Sequence, residues 1–488
     1  MKSNPGRRLF FWTLVLLFFI TTATVLFLTF GYRFDTNRGL FVHTGSFTIK
    51  VTPLENVTIE VDGNIVPMKK LNILNNAFHI GGQMPGEHFI RVTAPGYSRW
   101  EKKAVIESGK STEFWNITLI GNEYPRTPVA ETESVRKIFP SPESNLFALL
   151  GTRDQGTFLS TFDTDTLTPS EIAFIPETSL IESSDENLEW SSNTESLLIP
   201  LINTSGERVS FLVNIETGSV TNLTEQSKIS NIQYPRWDGR RKNVFYFLSE
   251  NTLYEWSVEE LDHSPIAITD DISGYDISQG FIYFIEKQTG IISRLQSGDS
   301  IEESEQITKK EIAHSDAPHA ITVYDEDRIA IRNRETGELF VLNTGEEDYF
   351  QMIGTEIKGV QFSNDGKKLL FASDREILVY FVRPWSTQPL RTENEVLQIA
   401  RFASPIRFVQ WTKDYEHIIF TYNNSLKTIE LDHRDRRDLQ TVNTFPLPPK
   451  QILDDFGSDR LFIIEEGDGP TLSFMPFPVI PLEETLAP

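Results

Sequence analysis

The chain has 488 residues, with 45 basic against 69 acidic side chains, a net charge of −24 and no cysteine; that length suits about three domains. Residues 1–38 carry +4 and residues 39–120 carry +1, which leaves −29 on residues 121–488. So acidic a surface repels phosphate backbones and argues against nucleic acid as a partner, while the absence of thiols excludes disulfides, thiolate nucleophiles and thiolate metal sites.

From Leu9 to Phe30 the chain runs 22 residues without a charge, and about 20 apolar residues cross the hydrocarbon core of a bilayer as a helix. A buried globular helix would show a polar stripe. A cleaved signal peptide shares the basic start of Lys2, Arg7 and Arg8, but its apolar region is about 7–15 residues long and ends in a small-x-small site. This run is longer and ends in Phe30-Gly31-Tyr32-Arg33-Phe34. The sequence therefore predicts a cytoplasmic N-terminus over residues 1–8, a retained transmembrane helix over 9–30 and a linker over 31–44. Three basic side chains precede the span, whereas Arg33 and Arg38 follow it with Asp35 between them. The positive-inside bias then places the body outside the cytoplasm, as a single-pass protein of the cytoplasmic membrane.

Period-two alternation begins at Ser46-Phe47-Thr48-Ile49-Lys50-Val51 and returns at Val57-Thr58-Ile59-Glu60-Val61, before the turn Asp62-Gly63-Asn64. This pattern means strands and a hairpin. A polar stretch follows, then Met84-Pro85-Gly86-Glu87-His88-Phe89-Ile90-Arg91-Val92, the turn Ala94-Pro95-Gly96-Tyr97, and strands at Lys103–Ile106 and Phe114–Leu119. The order resembles the PEGA domain, a small β-sandwich of bacterial and archaeal surface proteins, over residues 45–120. Pro85, Gly86, Pro95, Gly96 and Tyr97 match that family's turns. Pro53-Leu54-Glu55-Asn56 stands where the family has Pro-Glu-Gly-Ala. The resemblance implies a noncatalytic adhesion or spacer module.

Inside the module, Ala104 through Ser111 fits a relaxed P-loop string around Lys110. A P-loop cradles phosphate at the start of a helix, yet Thr112-Glu113-Phe114-Trp115-Asn116-Ile117-Thr118 reads as a strand. The sequence thus predicts a β-turn at Lys110 and no nucleotide.

Beyond residue 130 a unit recurs every 40–50 residues or so, the period of a propeller or solenoid. Its anchor is an aromatic residue seven positions before an apolar strand: Phe139 before Leu146, Trp190 before Leu197, Trp237 before Val244, Phe362 before Leu369 and Trp411 before Ile418. Weaker copies stand at Tyr275, Tyr324 and Asp454. With Val360–Phe371 and Asn214–Thr224 as its best phrases, the repeat resembles WD40-like and TolB-like β-propellers of prokaryotic surface proteins. Counting all copies gives eight blades, seven being the alternative, over residues 121–475. The prolines of Met475-Pro476-Phe477-Pro478-Val479-Ile480-Pro481 lack amide donors, so residues 476–488 are expected to run extended as a Pro-rich tail and not to form a central strand.

The fold class is therefore all-β after one transmembrane helix. No catalytic constellation, cofactor site or metal site is predicted. His314 and His319 flank Asp316, but a five-residue step puts them on opposite sides of a strand and Pro318 prevents a helix, so a solvated interblade loop is expected. Asp163/Asp165 and Asp325/Asp327 lack EF-hand spacing and read as turn residues. The expected function is that of a cell-envelope binding or scaffold protein whose propeller engages a protein or a wall polymer. The alternative is a propeller enzyme acting on glycan or peptide through channel carboxylates.

Overall fold

The uncharged N-terminal run forms one α-helix, Pro5–Thr29. Its apolar side chains point outward, with Leu9, Phe10, Trp12 and Phe18 each more than half exposed. An 18-residue stretch within it has a mean hydropathy of 2.3, and by length and composition the helix is able to cross a membrane. The hydroxyls of Thr13, Thr21 and Thr24 turn back onto the carbonyls of Leu9, Leu17 and Ile20 at 2.8–2.9 Å, which satisfies these polar groups without water.

The computed structural model describes residues 5–36, 39–72, 74–129, 132, 134–142, 145–181, 188–345, 348–465 and 471–479. Two units divide the chain: residues 1–123 with 386–390 and 429–440, and residues 124–385 with 391–428 and 441–488.

In the first unit two four-stranded sheets share one core. One has the strand order 111–118, 45–52, 77–83, 71–72, and the other 64–65, 58–61, 86–93, 100–106. Alternation points Phe47, Ile49 and Val51 of the first sheet toward Ile90, Val92 and Ile106 of the second. Trp100 meets Phe114 edge-on at 5.2 Å. The turn after Val61 has φ of 49° at Asp62 and 77° at Gly63, as a tight two-residue hairpin requires. Residues before Met84, read from sequence as polar, contain the strand Ala77–Gln83, whose Phe78 and Ile80 enter the core. Gly81 and Gly82 cut its alternation short, which hid it. After Lys110 the chain enters the strand Ser111–Thr118, parallel to Gly45–Thr52, and Lys110 itself sits in an exposed turn paired with Glu107.

Within this unit Lys102 is wholly buried. Its ammonium meets Glu430 Oε1 at 2.6 Å and donates to the carbonyls of Asp432, Arg434 and Arg436 at 2.8–3.0 Å. A buried cation is tolerable only when so fully paired.

Among the described residues, the chain after residue 124 forms eight successive antiparallel sheets, over residues 135–176, 178–222, 233–269, 272–306, 319–354, 359–401, 406–444 and 451–476. Neighbouring sheets share apolar cores. The last packs on the first, where Phe462 meets Phe147 at 5.0 Å and Phe162 at 5.8 Å. The outermost strand of the eighth sheet, Thr127–Pro128, comes from the opposite end of the chain. The domain is thus a closed β-propeller, and closure removes exposed sheet edges. The strand Thr471–Pro476 lies between Thr127–Pro128 and Arg460–Glu465. This corrects the expectation for Met475 and Pro476, which do belong to a central strand. Pro476 is its last residue, where the missing amide costs least. Residues 480–488 lie outside the described part of the tail.

The seven-residue spacing has a geometric origin. Trp190, Phe362 and Trp411 end the innermost strands of their sheets and pair across a hairpin turn with Leu197, Leu369 and Ile418. Trp237 ends its strand likewise, opposite Phe245, and Phe139 stands one residue before the end of its strand, opposite Ala148. The three tryptophans are buried, and Trp411 completely so; Phe139 and Phe362 are half-buried. Each indole also reaches backward: Trp190 Nε1 donates to the Phe139 carbonyl (3.3 Å), Trp237 Nε1 to Glu189 (3.1 Å) and Trp411 Nε1 to Gln361 (3.1 Å). Trp411→Ala is therefore expected to lower stability by about 3–5 kcal/mol through the cavity it leaves. Trp190→Ala and Trp237→Ala should do similar damage, each lowering the melting of the whole ring, since every blade leans on its neighbours. Thermal unfolding of the detergent-solubilised chain checks this, and three unchanged midpoints would refute the anchor role.

Candidate functional site

An innermost strand has a ladder partner on one side only, so its other edge must satisfy its amides and carbonyls elsewhere. Side chains from neighbouring blades do this. Gln451 both accepts from the Ile138 amide (2.9 Å) and donates to the Ile138 carbonyl (2.8 Å), joining the last blade to the first. Gln361 Oε1 accepts from the Trp411 amide (3.1 Å), and Asp276 Oδ2 accepts from that of Val323 (3.1 Å). The backbone bends to make room: Tyr234 and Phe408 have φ of 50° and 52° at bulges in their strands. A left-handed conformation is strained for an aromatic residue.

On this inner surface three consecutive blades contribute a charged row. Arg236 Nη1 donates to Glu189 Oε2 at 2.8 Å, and Arg236 Nε stands 3.7 Å from Asp276 Oδ1. Burial pushes the carboxyls of Glu189 and Asp276 up, with Arg236 opposing the shift in both. The guanidinium in turn is held above the usual arginine range, chiefly by Glu189. Two carboxyls of raised pKa thus flank one cation on the inner surface.

Between the sixth and seventh blades opens a cleft of about 650 Å³, lined by Lys358, Gln361, Asp374, Arg407, Phe408 and Gln410 among others. The Gln410 side-chain nitrogen is buried there without a hydrogen-bond partner, an orphan donor that a ligand carbonyl or carboxylate would satisfy. Among the described residues Lys358 and Arg407 form no ion pair, although residues 121–488 carry −29 overall.

The residues singled out from sequence fall mainly elsewhere. Trp190, Trp237 and Trp411 are core groups. Pro85 and Gly86 lead into the strand 86–93, and Gly96, with φ of 81°, forms the turn in which the Tyr97 amide donates to the Ala94 carbonyl at 3.2 Å. Asp163 Oδ1 accepts from the amides of Asp165 and Thr166, and Asp325 binds Arg328 and the Asp327 amide, so both pairs shape turns. Sequence reasoning missed Glu189, Arg236, Gln361 and Gln410, although each directly precedes an anchor aromatic. It also missed Asp276, which directly follows Tyr275. A polar residue beside each anchor was the available signal.

His319 requires a correction, for it opens the strand His319–Asp325 and is only 1% exposed, not part of a solvated loop. Its Nδ1 lies 3.1 Å from Ser273 Oγ, and Nε2 has no partner. Burial, more than any charge, pushes its pKa down to about 4 from 6.5. The unfolded chain then binds this proton more readily, so the neutral imidazole's contribution is complete above about pH 6.5 and is lost as pH falls toward about 4. Relative to His319→Leu, the wild type should lose about 3 kcal/mol of stability between those limits. Denaturant unfolding at neutral and acid pH measures the difference, and a pH-independent gap between the two proteins would contradict it.

Neither a protein-family model nor a curated protein sequence matches the chain. Solved structures similar to it include Sqt1 of Saccharomyces cerevisiae, at 13% identity over 74% of this chain and 98% of that one with a TM-score of 0.44. The Dos1 propeller matches at 11% identity over 72% and 95% of the two chains, with a TM-score of 0.47. A prolyl endopeptidase structure matches at 12% identity over 70% of this chain and 54% of that one, with a TM-score of 0.40.

Proposed function

We propose that the chain is a membrane-anchored, extracytoplasmic binding protein of the cell envelope. In this reading residues 1–8 are cytoplasmic, residues 9–30 span the cytoplasmic membrane and residues 31–44 link the span to the body. The PEGA-like sandwich of residues 45–120 acts as a spacer. An eight-bladed propeller over residues 121–475 holds a protein partner, with residues 476–488 as a tail. The observation that carries the proposal is the cleft, which Lys358, Arg407 and the orphan amide of Gln410 line together with Asp374 in an otherwise acidic domain. That chemistry suits a protein segment presenting carboxylates, because complementary charge both steers encounter and fixes register. The raised carboxyls of Glu189 and Asp276 support the second reading, a propeller enzyme acting on glycan or peptide.

Two experiments test these assignments. Protease added to intact spheroplasts should digest residues 40–488; protection would reverse the topology, and a mature N-terminus near residue 32 would show that the helix is removed. Partners crosslinked to the full chain in membranes should be lost from the double variant Lys358→Glu/Arg407→Glu with its melting unchanged. Retention of the same partners would overturn the cleft assignment, whereas turnover abolished by Glu189→Gln would establish the enzyme reading.

A further inference from the structure

The helix Pro5–Thr29 does not lead directly into the sandwich. Two residues after its end the chain forms a hairpin of strands Tyr32–Asp35 and Leu40–His43. Tyr32 pairs with His43 and Phe34 with Phe41, so strand alternation puts these four rings on one face. Tyr32 stacks on His43 at 5.0 Å and Phe34 meets Phe41 at 5.2 Å. The ladder is continuous with the helix, because Phe27 stacks on Tyr32 at 4.3 Å and meets Phe41 edge-on at 5.1 Å. The Gly31 carbonyl accepts from both the amide and the hydroxyl of Thr44, at 2.8 and 2.7 Å, tying the hairpin base to the helix exit. Despite this packing, Phe34 and Phe41 remain 53% and 54% exposed, and Phe30 68%.

Helix length decides where that face lies. From Leu9 to Thr29 a rise of 1.5 Å per residue gives roughly 31 Å, the thickness of the hydrocarbon core at about 30 Å. With Arg7 and Arg8 at one boundary, Thr29 reaches the other, and the hairpin starts within about 10 Å of it at the span of an extended chain. Aromatic side chains concentrate at this depth because a ring there leaves water without losing contact with polar groups. We propose that the aromatic face of the strands Tyr32–Asp35 and Leu40–His43 is seated in the interfacial zone of the lipid bilayer, a second, lateral contact that fixes the orientation of the helix exit. This rests on the reading that the helix spans the membrane.

The absence of cysteine makes single-cysteine spin labelling of the full chain direct. Labels at Phe34→Cys and Phe41→Cys, in vesicles of phosphatidylcholine and phosphatidylglycerol, are compared with Leu17→Cys in the helix and Asn64→Cys in an exposed turn of the sandwich. The expected result is an oxygen-to-nickel-chelate accessibility ratio at residues 34 and 41 several-fold above that at 64 and below that at 17. Labels at 34 and 41 that behave like 64, with 17 in hydrocarbon, would overturn the hairpin proposal and leave the anchor standing. Labels shielded from both oxygen and nickel would overturn it in favour of a protein-covered face. A water-accessible label at 17 would overturn the anchor and the hairpin proposal together.

Discussion

The propeller depends on one repeated interaction, an aromatic side chain that ends an innermost strand and hands its polar hydrogen to the strand of the preceding blade. The indoles of Trp190, Trp237 and Trp411 do this. Tyr275, in the middle of the strand Ile272–Ser278, plays the same part through its hydroxyl, which lies 2.5 Å from the carbonyl oxygen of Tyr234 and 2.9 Å from that of Tyr246. A large ring fills the wedge between two twisted sheets, while its N–H or O–H satisfies a carbonyl that the free edge of the innermost strand would otherwise leave buried and unpaired. One side chain thus supplies both the packing and the angular register of adjacent blades.

Other polar groups replace the handoff where the ring closes and reinforce it elsewhere. The carboxamide of Gln451 closes the ring onto Ile138, and the Glu189–Arg236–Asp276 row ties three blades by charge. Beneath the third blade, Asp238 is fully buried and binds Arg241 at 3.0 Å, and Arg241 also pairs with Glu255. Such networks cost stability when half-satisfied and add rigidity when complete. The inner surface is consequently polar and structured, and the cleft beside Gln410 is a place where a donor is left over.

The charge distribution assigns different roles along the chain. The N-terminal 38 residues are net basic, the sandwich is nearly neutral, and the propeller carries the acid. In the membrane-anchored reading proposed above, an acidic body would be repelled by anionic lipid, and contact with the membrane would fall to the helix and the neighbouring aromatic rings, which bind by leaving water and not by charge.

What the sequence by itself determined are the features encoded over a few residues: the helix Pro5–Thr29, the alternating strands of the sandwich, the turn at Lys110 and the anchor-to-strand repeat, which is one hairpin crossing long. Tertiary structure alone decided the features that join distant residues. Thr127–Pro128 became the outer strand of the last blade because only closure brings it beside Thr471–Pro476. Ala77–Gln83 became a core strand despite its glycines because the sheet supplied partners on both sides. His319 carried the local marks of a loop and was buried by Ser273 and the neighbouring blade. The charged row and the cleft needed side chains 87 and 52 positions apart in sequence, from Glu189 to Asp276 and from Lys358 to Gln410. Local periodicity reports which face a residue takes; which residue stands opposite it is fixed only when the ring closes.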